Sequence, residues 1–305
     1  MKIFLASSSR VAVPILNALE SAGFLSGIIS SPDKPVGRGR QLAPNEFADF
    51  CQKNQQKVFK PKTHEELNQL LKSQNPDLVV TIAYGKLIRA GELAIPRYGW
   101  LNIHFSQLPR WRGAAPVQRA LLAGDSTTGV TIFQLDEGMD TGPVYATIEH
   151  PIAQTDTAGE LLTALTHRAI EPLMKSIAMI HDGVSPSPQA SEGATHAAKI
   201  NKSDGRIDWT ESSEDIDRLI RAMNPWPMAW TEYRDARVLI TQARTAHEEP
   251  QGSSTSGSAV NLNPLIVACG SGLIELVSVK PEGKREMPAA DWLRGLQSTS
   301  EIVFT

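Results

Sequence analysis

The chain has 305 residues, 41% of them hydrophobic and 21% charged, with a formal net charge of −3. That length suits two domains, and the composition is that of a soluble globular protein with enough apolar mass for a sizeable core. The charge excludes an overall electrostatic case for binding nucleic acid or a membrane surface, no apolar run is long enough to span a bilayer, and the two widely separated cysteines, Cys51 and Cys269, exclude a disulfide framework or a cysteine metal site.

Lys2–Ala6 predicts a short apolar strand and Ala12–Ala22 a helix. Ser7-Ser8-Ser9-Arg10 interrupts the apolar run between them, which fits strand, turn and helix better than a secretory leader, so the cytoplasm is the expected compartment. Leu25–Ser30 predicts a second strand, followed by a polar loop over residues 31–44 (SPDKPVGRGRQLAP). Asn45 is placed to cap a helix over 45–55, Val58-Phe59 opens a short strand, and Thr63 and Glu66 form a Thr-x-x-Glu capping box for a helix over 63–73. Leu78–Ile82 is a continuous apolar run, as expected of a strand buried in a parallel sheet. Strands over Trp100–His104 and Gly129–Leu135 flank a helix over Ala114–Leu122. This succession predicts a doubly wound α/β sheet, whose ligands bind beyond the carboxyl ends of the strands.

Thr157–Asp182 predicts one long amphipathic helix. Residues 183–198 (GVSPSPQASEGATHAA) are rich in Ser, Pro and Gly and predict a linker. Beyond it lie a short helix over Glu214–Met223 and strand-like runs at Val238–Thr241, Leu265–Ala268 and Leu273–Val279, with a flexible loop expected over 248–258. This pattern predicts a small, OB-like β-barrel. The expected organisation is therefore a catalytic domain over 1–183, a linker over 184–205 and a barrel over 206–305.

The segment richest in chemistry runs from Asn102 to Gly142. Asn102 and His104 are two apart on a predicted strand, a spacing that points both side chains to one face. Asp140 follows in a Gly-flanked turn close enough in sequence to fold back onto that face. A single Asn-x-His pair is usually structural, and a lone buried histidine is more often core than catalyst. Here the pair has company: the loop SQLPRWRGAAP and then GDSTTGVTIFQLDEGMDTGP. An amide donor, an imidazole and a carboxylate are the parts needed to move an acyl group onto an amine.

The chain resembles the folate-dependent formyltransferases. The matching stretches are NIH at 102–104, LPRWRGAAPVQRALLAGD at 108–125, GVTI at 129–132 and DEGMDTG at 136–142, with AYG at 83–85, SPDKPVGRGRQLAP at 31–44, RIDW at 206–209 and IRAMNPWPMAW at 220–230. The resemblance implies 10-formyltetrahydrofolate as co-substrate and no metal, because the formyl donor is already an activated amide. It implies that Asn102 hydrogen-bonds the formyl oxygen, that His104 transfers a proton, and that Asp140 orients His104 or helps a water relay protons. It places Ser106, Gln107, Leu108 and Pro109, with Ala83, Tyr84, Gly85 and Asp136, around the folate. Three positions depart from the family pattern: Ser7-Ser8-Ser9-Arg10 stands where Gly-Thr-Pro is usual, Phe105 where Gly is usual, and Gln107 where Leu is usual.

Within this family the C-terminal motifs and the GRGR loop favour members whose acceptor is the amino group of initiator methionyl-tRNA. Amino-sugar formylation and hydrolysis of the formyl donor are the alternatives within enzymes, and a non-catalytic RNA-binding protein is the alternative outside them. A dinucleotide oxidoreductase is disfavoured, because no Gly-rich turn follows the first strand. Lys34, Arg38 and Arg40 suit the loop over 31–44 to the acceptor-stem wedge that the resemblance implies, with a solvated surface loop as the alternative, and Lys199, Lys202 and Arg206 are further candidates for tRNA. Arg110 and Arg112 suit phosphate contacts or carboxylate pairing. Residues 206–305 carry 10 Lys and Arg against 14 Asp and Glu, so tRNA binding there requires a one-sided basic face rather than bulk charge. A monomer is expected.

Overall fold

The structure is a computed structural model, and it describes residues 1–37, 40–246, 254–296 and 302–305. The strands are β1 (Ile3–Ala6), β2 (Leu25–Ile29), β3 (Lys34–Val36), β4 (Gln41–Ala43), β5 (Val58–Phe59), β6 (Leu78–Thr81), β7 (Trp100–His104), β8 (Arg112–Gly113), β9 (Thr127–Gln134), β10 (Val144–Pro151), β11 (His196–Ala197), β12 (Ala229–Tyr233), β13 (Ala236–Ala246), β14 (Ala259–Leu262), β15 (Leu265–Ala268), β16 (Leu273–Pro281) and β17 (Met287–Pro288). The α-helices are α1 (Val13–Ser21), α2 (Glu46–Lys53), α3 (His64–Gln74), α4 (Ala90–Leu93), α5 (Pro116–Leu122), α6 (Ala158–His181), α7 (Ser213–Met223) and α8 (Ala289–Arg294). The chain divides into two compact units. One comprises Met1–Pro116, Thr127–Pro151 and Leu162–Ala198; the other comprises Val117–Ser126, Ile152–Leu161 and Lys199–Thr305.

The first unit is built on a seven-stranded sheet of order β10-β9-β7-β6-β1-β2-β5. Five strands are parallel, as the apolar runs predict. The sheet is nevertheless mixed, because β9 runs antiparallel to β7 and β10 antiparallel to β9. β10 escapes a sequence reading because its burial alternates weakly, as befits an edge strand. The core under the sheet contains Phe4, Ile29, Leu67, Leu71, Val79 and Trp100, and burial of side chains this size contributes roughly 1.5–3 kcal/mol each. Asn45 caps α2 by accepting from Ala48 N at 3.0 Å. Thr63 caps α3 by accepting from Glu66 N at 3.1 Å, while the Glu66 carboxylate takes the N–H of Lys62 rather than that of Thr63.

The chain leaves β1 in one direction along the sheet and returns on the other side of it at β6, so the topological switch point lies at the carboxyl ends of β1 and β6. Serines close this crevice. Ser8 Oγ donates to Tyr84 O at 2.9 Å and lies 2.6 Å from Ser31 Oγ, and Ser30 Oγ donates to Ser7 O at 2.7 Å. The Ser7–Arg10 departure thus ties the ends of β1, β2 and β6 together. Within the polar stretch over 31–44, β3 and β4 pair antiparallel.

The second unit carries an antiparallel sheet of order β12-β13-β16-β15-β14, with β17 beside β16. Residues 302–305 join its two edges: Thr305 exchanges two backbone bonds with Glu232 of β12 at 3.0 Å each, while Ile302 O accepts from Ala259 N of β14 at 2.8 Å. The sheet therefore closes on itself, as the expected barrel requires. Its interior is aromatic: Trp209 stacks on Phe304 at 5.5 Å and Tyr233 meets Trp292 edge-on at 5.4 Å. Trp209 of the RIDW motif donates Nε1–H to Thr231 Oγ1 at 2.9 Å, which makes it a core anchor. Asn224 of the NPWP motif ties the end of α7 to β13 by donating to Thr241 O at 2.9 Å.

Candidate active site

Strand register places the first two candidate residues. Asn102 of β7 lies beside Thr81 of β6 and opposite Phe133 of β9, and His104 lies opposite Thr131. Thr81 Oγ1 donates to Asn102 Oδ1 at 2.7 Å. The same hydroxyl lies 3.2 Å from Leu101 O, and of the two carbonyl oxygens that of Asn102 is the nearer. The oxygen is committed to the sheet, and Asn102 Nδ2 has no hydrogen-bond partner among the described residues.

His104 is 5% exposed. Its Nε2 lies 2.8 Å from Trp111 O, and a carbonyl only accepts, so Nε2 carries the hydrogen in the neutral ring. Nδ1 is then the lone-pair nitrogen. It faces Asp140 Oδ2 across 3.6 Å, beyond hydrogen-bond distance. The Phe133 ring stands edge-on to the imidazole at 6.4 Å. Burial pushes the His104 pKa below the ordinary histidine value, while Asp140 and the Trp111 carbonyl pull it back in part. A histidine lowered from about 6.5 is neutral at pH 7, a base awaiting a proton.

Asp140 reaches this position on a tight turn. Its own φ is +54°, in the left-handed region, where a non-glycine residue costs about 1–3 kcal/mol and persists only when its surroundings over-determine it. Asp140 Oδ2 accepts from Gly113 N at 2.7 Å. Gly142 passes so close to Gln134 that a Cβ there would lie 1.8 Å from its carbonyl oxygen. Within the turn, Asp136 Oδ1 accepts from Gly138 N at 3.0 Å and from Thr141 Oγ1 at 2.8 Å. Asp136 is exposed and serves the turn.

The loop after His104 is pinned chiefly by Thr131. Its hydroxyl donates to Ser106 O at 2.7 Å and accepts from Leu108 N at 3.1 Å. Ser106 Oγ donates to Arg110 O at 2.6 Å. Trp111 follows at φ +63°, which is how its carbonyl comes to His104. The expected linker is not a free tether in this region. Its Thr195 takes the Trp111 N–H on Oγ1 at 2.8 Å and the Arg112 N–H on its carbonyl at 2.9 Å, and β11 pairs parallel with β8. Its composition reads as a linker because these are bonds to backbone and to small polar side chains, not apolar burial.

The candidate folate residues divide. Ala83 and Gly85 are exposed at the switch point with φ +47° and +72°, and Leu108 and Pro109 are half-buried beside the trio's loop. Three side chains are engaged elsewhere. Tyr84 belongs to the apolar core with Phe4, Val79 and Trp100, where burial raises its phenol pKa. Ser106 is 1% exposed and its hydroxyl is spent within the loop. Gln107 Nε2 donates to Glu149 Oε2 at 3.3 Å, across the β9–β10 hairpin. Phe105 is buried, 7% exposed. Of the candidate tRNA residues, Lys34 is exposed on β3, Arg40 is exposed at φ +46°, and Lys199, Lys202 and Arg206 are exposed. Arg38 lies outside the described residues. Arg206 and Arg237 both stand over the Trp230 ring, at 5.7 and 3.9 Å. Arg112 bonds to Gln189, and Arg110 lies over the Trp111 ring at 4.6 Å.

Sequence reasoning missed Thr81, Thr131 and Thr195, and the backbone groups of Trp111 and Gly113. Thr81 left a trace, a hydroxyl at the carboxyl end of an otherwise apolar strand. The backbone groups left none, since every residue type has them.

Residues 1–177 match the model of the Formyl transferase family, and residues 199–297 match that of the Formyl transferase, C-terminal domain. The chain is 40% identical over 304 residues to the methionyl-tRNA formyltransferase of Streptomyces coelicolor, covering 98% of each chain. Among solved structures, the N-formyltransferase of Helicobacter canadensis with folinic acid and dTDP-3-aminofucose aligns at TM-score 0.62 and 17% identity, over 90% of this chain and 98% of that one. The methionyl-tRNA formyltransferase of Clostridium thermocellum aligns at TM-score 0.57 and 18% identity, over 82% and 95%.

Proposed function

The chain belongs to the formyl transferase family, and we propose that Asn102, His104 and Asp140 carry its reaction. It transfers the formyl group of 10-formyltetrahydrofolate to the amino group of methionyl-tRNA. The observation that supports these residues most directly is an uncommitted amide N–H pair on the same strand face as a neutral imidazole whose lone pair faces a carboxylate.

These residues fit a formyl donor, because Asn102 Nδ2 is a donor without a hydrogen-bond partner among the described residues. The folate, when bound, supplies a formyl carbon already activated as an amide. Asn102 then donates to the formyl oxygen as the methionyl nitrogen adds to that carbon and negative charge grows on the oxygen. Thr81 keeps the donor aimed, so no reorganisation is needed as charge develops. His104 takes the proton of the attacking nitrogen on Nδ1, while Nε2–H stays on the Trp111 carbonyl. Asp140 stabilises the resulting imidazolium. His104 returns that proton to the departing folate nitrogen as its bond to the formyl carbon breaks. The trio ends in its starting state.

In this reading residues 1–183 form the catalytic domain and 206–305 a tRNA-binding barrel. The folate lies against Ala83, Gly85, Leu108 and Pro109. Lys34, Arg38 and Arg40 reach the acceptor stem, joined by Lys199, Lys202 and Arg206. The exposure of the described cations supports this assignment. The initiator is the tRNA used, and the enzyme works as a monomer in the cytoplasm.

The test is an incubation with 10-formyltetrahydrofolate and methionyl-tRNA, run beside amino-sugar and water-only controls. N-formylmethionyl-tRNA is the expected product. Formylation of an amino sugar without formylation of the tRNA overturns the reading.

A further inference from the structure

Gln189 lies in the Ser- and Pro-rich segment after α6, 49 residues from Asp140 in sequence. Its amide nitrogen donates to Asp140 O at 2.9 Å and to Gly142 O at 2.8 Å. Its oxygen accepts from Arg112 Nε at 3.2 Å and from Nη2 at 2.7 Å. A primary amide has two donor hydrogens and two acceptor lone pairs, so all four are used. The bonds on the donor side straddle the strained turn that carries the carboxylate. The acceptor side holds Arg112, which sits between the two backbone groups that touch the trio, Trp111 O on His104 and Gly113 N on Asp140.

We propose that Gln189 is a positioning residue for formyl transfer, acting through Asp140. It locks the turn over 136–142 to the loop over 105–113 and so sets the carboxylate's distance from His104. The side chain does not touch the reacting atoms, and the proposal rests on the roles given above to His104 and Asp140. A left-handed Asp140 has to be held by its neighbours, and two of its nearest constraints are the Gln189 bonds to its own carbonyl and to that of Gly142. The chemistry of the contact also demands an amide. A carboxylate at 189 still pairs with Arg112, yet it offers no N–H to either turn carbonyl and sets oxygen against oxygen there.

The test uses the full chain with three variants, Gln189→Ala, Gln189→Glu and Gln189→Ala in an Asp140→Ala background. Gln189→Ala is expected to lower kcat about 10- to 100-fold, the scale of a small misplacement of a reacting group, with KM for both substrates within about twofold. Gln189→Glu is expected to fall as far, despite keeping the Arg112 pairing. In the Asp140→Ala background the same substitution is expected to add less than about twofold, because a residue that acts through Asp140 has nothing left to position. A wild-type kcat in either single variant, a loss confined to KM, or an undiminished loss in the Asp140→Ala background overturns the proposal. Should Gln189→Ala not fold, Gln189→Glu alone decides by the same criteria. Absence of transfer by the wild-type chain in the same assay strikes instead at the functional reading.

Discussion

Asn102 and His104 stand on β7, where pairing to β6 and β9 fixes their register and leaves both on one face. Asp140 stands on a turn at φ +54°, held by Gly113, by the close passage of Gly142 and by Gln189. The same site is thus built in two ways. A strand positions residues through a ladder of backbone bonds that tolerates most side-chain changes. A strained turn positions its residue through individual bonds, any one of which matters. Changes far from the chemistry should therefore act on the carboxylate before they act on the amide or the imidazole.

The largest effects should come from the strand half, where the side chains themselves react. His104→Ala is expected to lower kcat by about 10³, within the range for a lost proton-transfer group. Asn102→Ala is expected to cost about 10² to 10³, as for one donor to a developing oxyanion. Both variants should keep the wild-type thermal transition to within a few degrees, because the ladder survives them. A His104→Ala enzyme with wild-type turnover removes the imidazole from the mechanism.

Asp140→Asn probes the loop half and should have a smaller effect on rate, about 10- to 100-fold. Its sharper signature is in pH dependence. Asp140 raises the His104 pKa against the dominant lowering by burial. Removing its charge lets the pKa fall further, so the acid limb of kcat/KM should move to lower pH, since the base must be neutral to act. A limb that stays in place or moves upward means that the carboxylate does not govern the imidazole. Stability gives a second check with the sign worked out. The folded state binds the His104 proton less tightly than the unfolded chain, so the penalty is absent above the unfolded value of about 6.5 and complete below the lowered folded one. Thermal stability of the wild type should therefore fall as pH drops through that window, and His104→Ala should lose part of that slope.

The contrast between strand and turn also explains how much of the protein was legible in its sequence. The parallel core was legible because Leu78–Thr81 and Trp100–His104 are apolar runs bounded by turns, and Asn102 and His104 followed from a spacing of two. The direction of β9 was not, since a strand's polarity in a sheet is set by its connections rather than its composition. Ser106, Tyr84 and Gln107 show a different limit. The motif gives their positions and not their orientations: one hydroxyl turns into its own loop, one ring into the core and one amide toward Glu149. Gln189 leaves no trace in the sequence, because one polar side chain in a Ser-, Pro- and Gly-rich run carries no periodicity and its four bonds exist only once distant segments meet.

The smallest expected effect tests whether the strand half is as self-sufficient as its register implies. Thr81→Val keeps the shape of the side chain and removes the hydroxyl that holds Asn102 Oδ1. Strand pairing still delivers Asn102 to the site, but its amide oxygen loses its hydrogen-bond partner, and a hydrogen bond of this kind contributes about 0.5–1.5 kcal/mol. The expected loss in kcat is therefore about threefold to tenfold. Thr81→Ser, which restores the donor, should recover most of it. A Val variant with full activity would mean that register alone aims the amide. A loss that Ser fails to recover would instead indicate that the methyl group's packing, and not the hydroxyl's bond, sets the position of Asn102.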